Sequence, residues 1–173
     1  MNPWPARVAT GSSRVDGAMT ELHRAESHLA TALLEMADRH RVDHEVYHVA
    51  RDVAGWSKEH VRRLAEVAHE RGNELAAVPG GGHDLLGALA RKGAELTGRL
   101  HEPSLLLLGD LRHVHREAAG VSLDWEVLAQ TAQALRDERL LRLAEDCHPE
   151  TLRQMRWANA KVKELAAQTM VTG

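Results

Sequence analysis

Hydrophobic residues recur at spacings of three and four along most of the chain, which is the pattern of amphipathic helices. The first stripe of this kind runs from Ala18 to His40 and predicts one helix over that range. A second stripe starts at Val42, after a short turn, and ends at Arg71-Gly72. Glycine is a natural C-terminal stop for a helix. The two stripes therefore predict a first helical hairpin.

The helical pattern weakens after this hairpin. Residues 73–83 contain Pro79 and a run of three glycines, which predict a flexible loop. Asp84 is a suitable N-cap for a short helix that extends through Leu100. These residues together predict a long crossover that contains one short helix.

The longest stripe in the chain begins after Glu102-Pro103 and continues in one register through Gly120. A break at Gly120, with Ser122 as a new N-cap, is the alternative. The unbroken register favours one continuous helix that packs along its whole length. The positions of this stripe are Leu107, Leu111, Val114, Ala118, Val121, Trp125, Leu128, Ala132 and Leu135.

The last part of the chain predicts a short helical segment followed by a fourth helix. Asp137 starts the segment at residues 138–146, and Pro149 then starts the fourth helix, because proline is tolerated in a first turn. This fourth helix and the long one before it predict a second hairpin. The predicted inner positions of the fourth helix are Leu152, Met155, Asn159, Val162 and Ala166.

Two helical hairpins joined by one long connection predict an all-α four-helix bundle with the connectivity of ferritin-like folds. The 173 residues are of one-domain size, and we assign the bundle to residues 18–168. Residues 1–17 predict a flexible N-terminal tail and residues 169–173 a frayed C-terminus.

Composition narrows the possible partners and the compartment. The net charge of -3 gives no broad electrostatic attraction to nucleic acid or to an anionic membrane. The sequence has no 18-residue apolar span and no apolar signal segment, so we expect neither a membrane nor a secretory role. Cys147 is the one cysteine, which excludes an intramolecular disulfide. The expected location is the cytoplasm.

Two histidines, His60 and His148, fall within apolar helical stripes. At 1.5 Å of rise per residue, they lie at nearly the same level of the predicted bundle, and Glu26 lies within roughly 6 Å of that level. Glu145 precedes His148 by three residues, the spacing at which two side chains share a helix face. Carboxylates and imidazoles are ligands for iron and manganese. Glu26, His60, Glu145 and His148 are therefore the predicted metal ligands.

Three short motifs resemble the ferritin-like superfamily, in particular its rubrerythrin-type and small bacterial members. These motifs are Ala25-Glu26, the segment 56–61 around His60, and Glu145-Asp146-Cys147-His148. The resemblance covers roughly residues 18–168. It implies a diiron or dimanganese centre of the kind used for iron oxidation, peroxide removal or oxygen activation.

The chain departs from the superfamily pattern at three places. Ser57 stands three residues before His60, where the pattern has glutamate. The long third helix presents Val121 and Trp125 at the level where a glutamate is expected, and Glu117 and Asp124 lie to one side as a possible fifth ligand. Pro149 follows His148 directly and disturbs the helical face that Glu145 shares with it. The sequence thus predicts an incomplete or lost metal site.

Two interpretations of these polar residues follow. Glu26, His60 and His148 either form a metal-free hydrogen-bonded network in the core or bind a metal ion. Trp125 is interpreted as a core aromatic that needs a partner for its indole N–H.

Three functions correspond to these interpretations. The first is a binding or assembly module, acting as a homo-oligomer or with a protein partner. The second is an iron or manganese protein, and the third is a small-molecule sensor with a pocket between helices. The absence of any cofactor is weighed equally with iron or manganese.

Overall fold

Four long helices form two hairpins. The computed structural model describes residues 4–79 and 103–171. Helix α1 spans Trp4–Arg39, α2 His44–Glu70, α3 Pro103–Leu135 and α4 Glu138–Val171, and these described ranges contain no strand. The predicted all-α four-helix bundle is confirmed at this level. The predicted crossover helix at 84–100 lies outside the described residues.

The ends of α2 follow the local chemistry that the sequence indicates. At its start, the carboxylate of Asp43 accepts a hydrogen bond from the backbone N–H of Val46 at 3.0 Å. At its end, Gly72 adopts a left-handed φ of 81°, which glycine adopts without steric cost. The N–H of Asn73 then bonds back to the carbonyl of Ala68 at 2.9 Å. The predicted stop at Gly72 is confirmed.

Ion pairs between helices define the direction of each helix in the bundle. Helix α1 packs beside α2 and α3, and α4 also packs beside α2 and α3, so α2 and α3 are diagonal. His40, just after α1, bonds Asp110 near the start of α3 at 2.7 Å. At the opposite end, Arg71 bonds both Asp16 and Asp137. Helices α2 and α3 therefore run in the same direction, and the end of α2 and the start of α3 lie at opposite ends of the bundle.

Helix α3 supplies the central apolar face of the bundle. It continues through Gly120 without a break, so the predicted continuous helix is confirmed and the break at this glycine is excluded. Leu135, at its end, is 51% exposed and does not belong to the core. The other predicted positions of the stripe are buried, from Leu107 to Ala132.

The predicted helix boundaries are wrong at two places. Helix α1 begins at Trp4 rather than Ala18, and its buried face already includes Val15. Helix α4 is one element that runs through Pro149 and reaches Val171, so the predicted separate segment at 138–146 does not exist. Pro149 is exposed, so its ring and the carbonyl that it leaves unbonded lie on the solvent side of the helix.

The buried face of α4 also differs from the predicted one. The five predicted inner positions, from Leu152 to Ala166, are only half-buried. The buried positions lie one residue earlier on each turn, which rotates the face by about 100°. Most of the buried residues on this face are polar, so a search for hydrophobic positions selects the wrong face. Its members are Thr151, Gln154, Ala158 and Lys161.

Within the two described ranges, no helix has both the length and the apolar character needed to span a bilayer.

Candidate functional site

The most unusual feature of the core is a fully buried glutamate bonded to a fully buried histidine. Glu26 on α1 and His60 on α2 are both 0% exposed. The Nδ1–H of His60 donates to Oε1 of Glu26 at 2.8 Å. Ionisable side chains are almost never buried to this extent without a partner. The sequence-predicted convergence of these two residues is therefore present in the fold.

The same carboxylate oxygen accepts hydrogen bonds from the second hairpin. The indole Nε1–H of Trp125 on α3 donates to Oε1 of Glu26 at 2.7 Å. The hydroxyl of Thr151 on α4 donates to the same atom at 3.2 Å. All four helices therefore meet at one oxygen atom. Three hydrogen-bond donors therefore converge on Oε1 of Glu26, whose side chain is closed to solvent.

The other nitrogen of His60 bonds a second carboxylate. Its Nε2–H donates to Oε2 of Glu150 on α4 at 2.9 Å. The Glu150 side chain is 32% exposed, so it connects the buried imidazole to the protein surface. Two carboxylates on opposite sides of the ring require both ring nitrogens to carry a proton. His60 is therefore an imidazolium between two carboxylates.

The pKa of His60 is consistent with this charge state. Burial alone would lower the pKa of the imidazole, but interactions with the side chains of Cys147 and Glu26 outweigh it and raise the pKa from 6.5 to about 10. Cys147 is fully buried on α4, one turn before Thr151. The edge of the His60 ring also packs against Trp125, with ring centroids 5.7 Å apart. Side chains of both hairpins therefore stabilise the charge on His60.

A second polar contact ties α4 to α2 one turn further along. The amide of Gln154 is fully buried and donates to the carbonyl of Val53 at 2.7 Å and to Oγ of Ser57 at 2.9 Å. Ser57 occupies the position at which the ferritin-like pattern has a glutamate. In this chain, the hydroxyl at that position accepts a hydrogen bond from Gln154 on α4.

The four predicted metal ligands do not all meet. Glu26 and His60 are in contact, whereas Glu145 is exposed on α4. His148 is half-buried, and its Nε2 shares a hydrogen bond with Oγ of Ser122 on α3 at 2.8 Å. Across residues 4–79 and 103–171, no group of three or more histidine, cysteine, aspartate or glutamate side chains is arranged to hold a metal ion. The predicted set does not fit one ion in this arrangement, and metal binding stays a prediction.

The possible fifth ligands lie outside the cluster as well. Glu117 is half-buried and lies 3.9 Å from His113, one turn away on α3. Asp124 is half-buried beside Glu21 and Arg24 of α1. Burial and the neighbouring Glu21 raise the pKa of Asp124. Neither carboxylate bonds Glu26 or His60.

Sequence reasoning missed the residues that α4 contributes. Glu150 and Thr151 follow Pro149, which the sequence marks as the start of a separate helix, so the sequence pattern does not place them on a shared face with Cys147. The signal that could have identified Thr151 is its spacing. Positions 147, 151, 154 and 158 recur at intervals of four and three, and all four are buried.

Comparison of the chain with models of known protein families, with characterised proteins and with solved structures gives no match. The residues of the cluster and their contacts are therefore the basis for any function of this chain.

Removing the hydrogen bond from Trp125 to Glu26 tests how much this bond contributes to stability. We expect Trp125→Phe to lower the free energy of unfolding by about 1.5–3 kcal/mol, because Glu26 loses a donor to its charge. Trp157→Phe is a matched control, since the indole N–H of Trp157 is buried without a partner in the described part of the chain. We expect the control to cost about 1 kcal/mol or less in the same urea titration. Equal losses in the two variants would contradict the importance of this bond.

Proposed function

We propose that this protein is a ferritin-like helical bundle in which the central carboxylate and histidine cluster is an incomplete or lost metal site, and that it acts as a binding or assembly module. The parallel direction of α2 and α3, which requires a long connection, supports the ferritin-like assignment. The proposed location is the cytoplasm.

The observation that carries this proposal is the position of His60 between Glu26 and Glu150. In a carboxylate-bridged metal site, a cation neutralises the buried carboxylates and the histidine uses a lone pair to bind it. Here the imidazolium itself is the cation, and hydrogen bonds occupy both of its nitrogens. Neither nitrogen has a lone pair left for a metal. The buried charge is balanced by the protein alone.

The outer surface supports the assembly part of the proposal. Leu123 and Val127 on α3 are 63% and 57% exposed, one helical turn apart. Isolated exposed leucines are common, whereas adjacent ones on one helix face are typical of a contact surface. A bundle with a closed polar centre and neighbouring exposed apolar side chains on one helix is suited to binding another macromolecule.

Elemental analysis of protein purified without an affinity tag tests the proposal. We expect iron and manganese well below one atom per chain, and a melting temperature that EDTA leaves unchanged. A metal-dependent fold would instead lose stability with the chelator, because a ligand that binds the folded state stabilises it. Stoichiometric metal that His60→Ala removes would overturn the proposal.

One observation favours a second candidate, an iron or manganese protein. Oε2 of Glu26 is buried, and no hydrogen-bond partner for it lies within the described residues. A cation could take that oxygen if His60 lost a proton and turned one nitrogen away from its carboxylate. Metal uptake by this route would increase with pH. Titration of the metal-free protein with Mn²⁺ at pH 7 and pH 9 separates the two candidates, since the module predicts no uptake at either pH.

A further inference from the structure

The outer face of α3 carries a row of residues that nothing in the described part of the chain covers. We call Gly120, Leu123 and Val127 the α3 outer stripe; they point away from the buried face that contains Trp125. Helices α2 and α3 are diagonal in the bundle, so the stripe lies at the corner farthest from α2. The chain leaving α2 runs along α1, where the carbonyl of Ala76 bonds His23 at 2.6 Å.

Nothing in the described bundle requires a glycine at position 120. It lies inside a continuous helix, where glycine is less favourable than alanine. A Cβ built at this position would meet no atom within 4 Å, so no packing contact requires its absence. A glycine on an exposed helix face lets another backbone or a large side chain approach closely from outside.

The α3 outer stripe is complementary to itself when one copy is reversed. In an antiparallel pair centred between Gly120 and Leu123, each leucine lies opposite the glycine of the other copy. The same register places Arg116 of one copy opposite position 127 of the other, one residue from Glu126, which the long arginine side chain can reach. Arg116 and Glu126 are both exposed, and neither forms an ion pair within the described ranges. Shape and charge therefore agree on one register.

We propose that the partner bound by the α3 outer stripe is a second copy of this chain, in a two-fold symmetric dimer in which the two α3 helices cross antiparallel. This deepens the proposed function and rests on its assembly role. An interface of one helix per copy lies at the small end of specific interfaces, and we expect a dissociation constant in the micromolar range.

Sedimentation velocity of the full chain at concentrations from 1 to 200 µM, a range chosen to bracket micromolar affinity, tests the dimer. We expect wild-type protein to pass from monomer to dimer, and Leu123→Glu to weaken association at least about 30-fold because it places a charge in the apolar contact. Val42→Glu is the matched control. Val42 is 92% exposed in the turn between α1 and α2, so its replacement leaves association unchanged. Equal weakening by both variants, or a monomer throughout the range, overturns the proposal.

A charge reversal tests the register without changing the apolar residues. We expect Arg116→Glu to weaken the dimer about fivefold, and Glu126→Arg in the same chain to restore it to within about threefold of wild type. Failure of the double variant to recover overturns this antiparallel register.

The circular dichroism melting curve of Leu123→Glu, compared with wild type at a concentration at which both proteins are monomeric, shows whether the stripe is instead covered by the chain's own residues. A large fall in its melting temperature means that it is, and this result also overturns the dimer. None of these measurements depends on metal content, so the dimer and the metal-free centre can fail separately.

Discussion

Replacing His60 by alanine is expected to lower the free energy of unfolding by about 3–5 kcal/mol. The substitution removes the cation that lies between Glu26 and Glu150 and leaves the buried carboxylate of Glu26 without charge compensation. Breaking a buried pair in this way costs more than the pair itself contributes, because the remaining charge cannot reach water. Urea unfolding followed by circular dichroism at pH 7 measures the loss.

Two further variants show whether the loss of stability comes from the uncompensated charge of Glu26. His48 is exposed on α2, so we expect His48→Ala to change stability by at most about 0.5 kcal/mol. Adding Glu26→Gln to His60→Ala removes the uncompensated charge and keeps a carbonyl acceptor for Trp125 and Thr151. We expect the double variant to recover at least about 1 kcal/mol relative to His60→Ala alone. If the double variant is less stable than either single variant, the buried charge is not the cause.

The helices that pack through apolar side chains could be predicted from sequence. Helix α3 keeps one hydrophobic register from Leu107 to Ala132, and this register outweighed the local signal of Gly120. The end of α2 was equally clear, because only a residue such as Gly72 readily adopts the left-handed conformation found there. In these elements the local and the tertiary preferences agree.

The part of helix α4 after Pro149 could not be predicted in the same way because its buried face is mostly polar. Thr151 and Gln154 are buried since their partners, Glu26 and Ser57, lie opposite them on other helices. A hydrophobic pattern contains no information about such partners, and it selected the half-buried Leu152 and Met155 instead. Tertiary hydrogen bonds determined which face of this helix is inside.

Helix geometry predicts the part of the candidate site that α1 and α2 contribute, but not the part that α4 contributes. Counting residues from the turn between α1 and α2 placed Glu26 and His60 at a common depth, and the structure joins them. The third predicted contributor, His148, lies on the correct helix but bonds Ser122. Glu150, and not His148, lies beside His60. The two residues are two positions apart on α4, and sequence spacing across Pro149 does not determine which of them faces His60.

The stability of the wild-type protein is expected to fall as the pH rises from about 6.5 to about 10, by roughly 3–5 kcal/mol in total. His60 has a pKa of about 10 in the folded protein and 6.5 as its ordinary value. The folded state therefore binds the proton more tightly than the unfolded chain does. Its contribution to stability is fully present below pH 6.5 and is lost as the pH passes through the folded pKa.

The measurement is a series of urea unfolding curves between pH 6 and pH 10 for wild type and for His60→Gln, with Glu26 unchanged in both. Glutamine cannot carry the charge, so we expect the variant to be less stable than wild type at pH 6 and to show a much flatter dependence on pH. The difference between the two proteins should shrink steadily toward pH 10, because wild-type His60 then loses the proton that holds it between Glu26 and Glu150. A difference that stays constant across this range would mean that His60 is neutral in the fold, and one ring nitrogen would then be free of its hydrogen bond to a carboxylate.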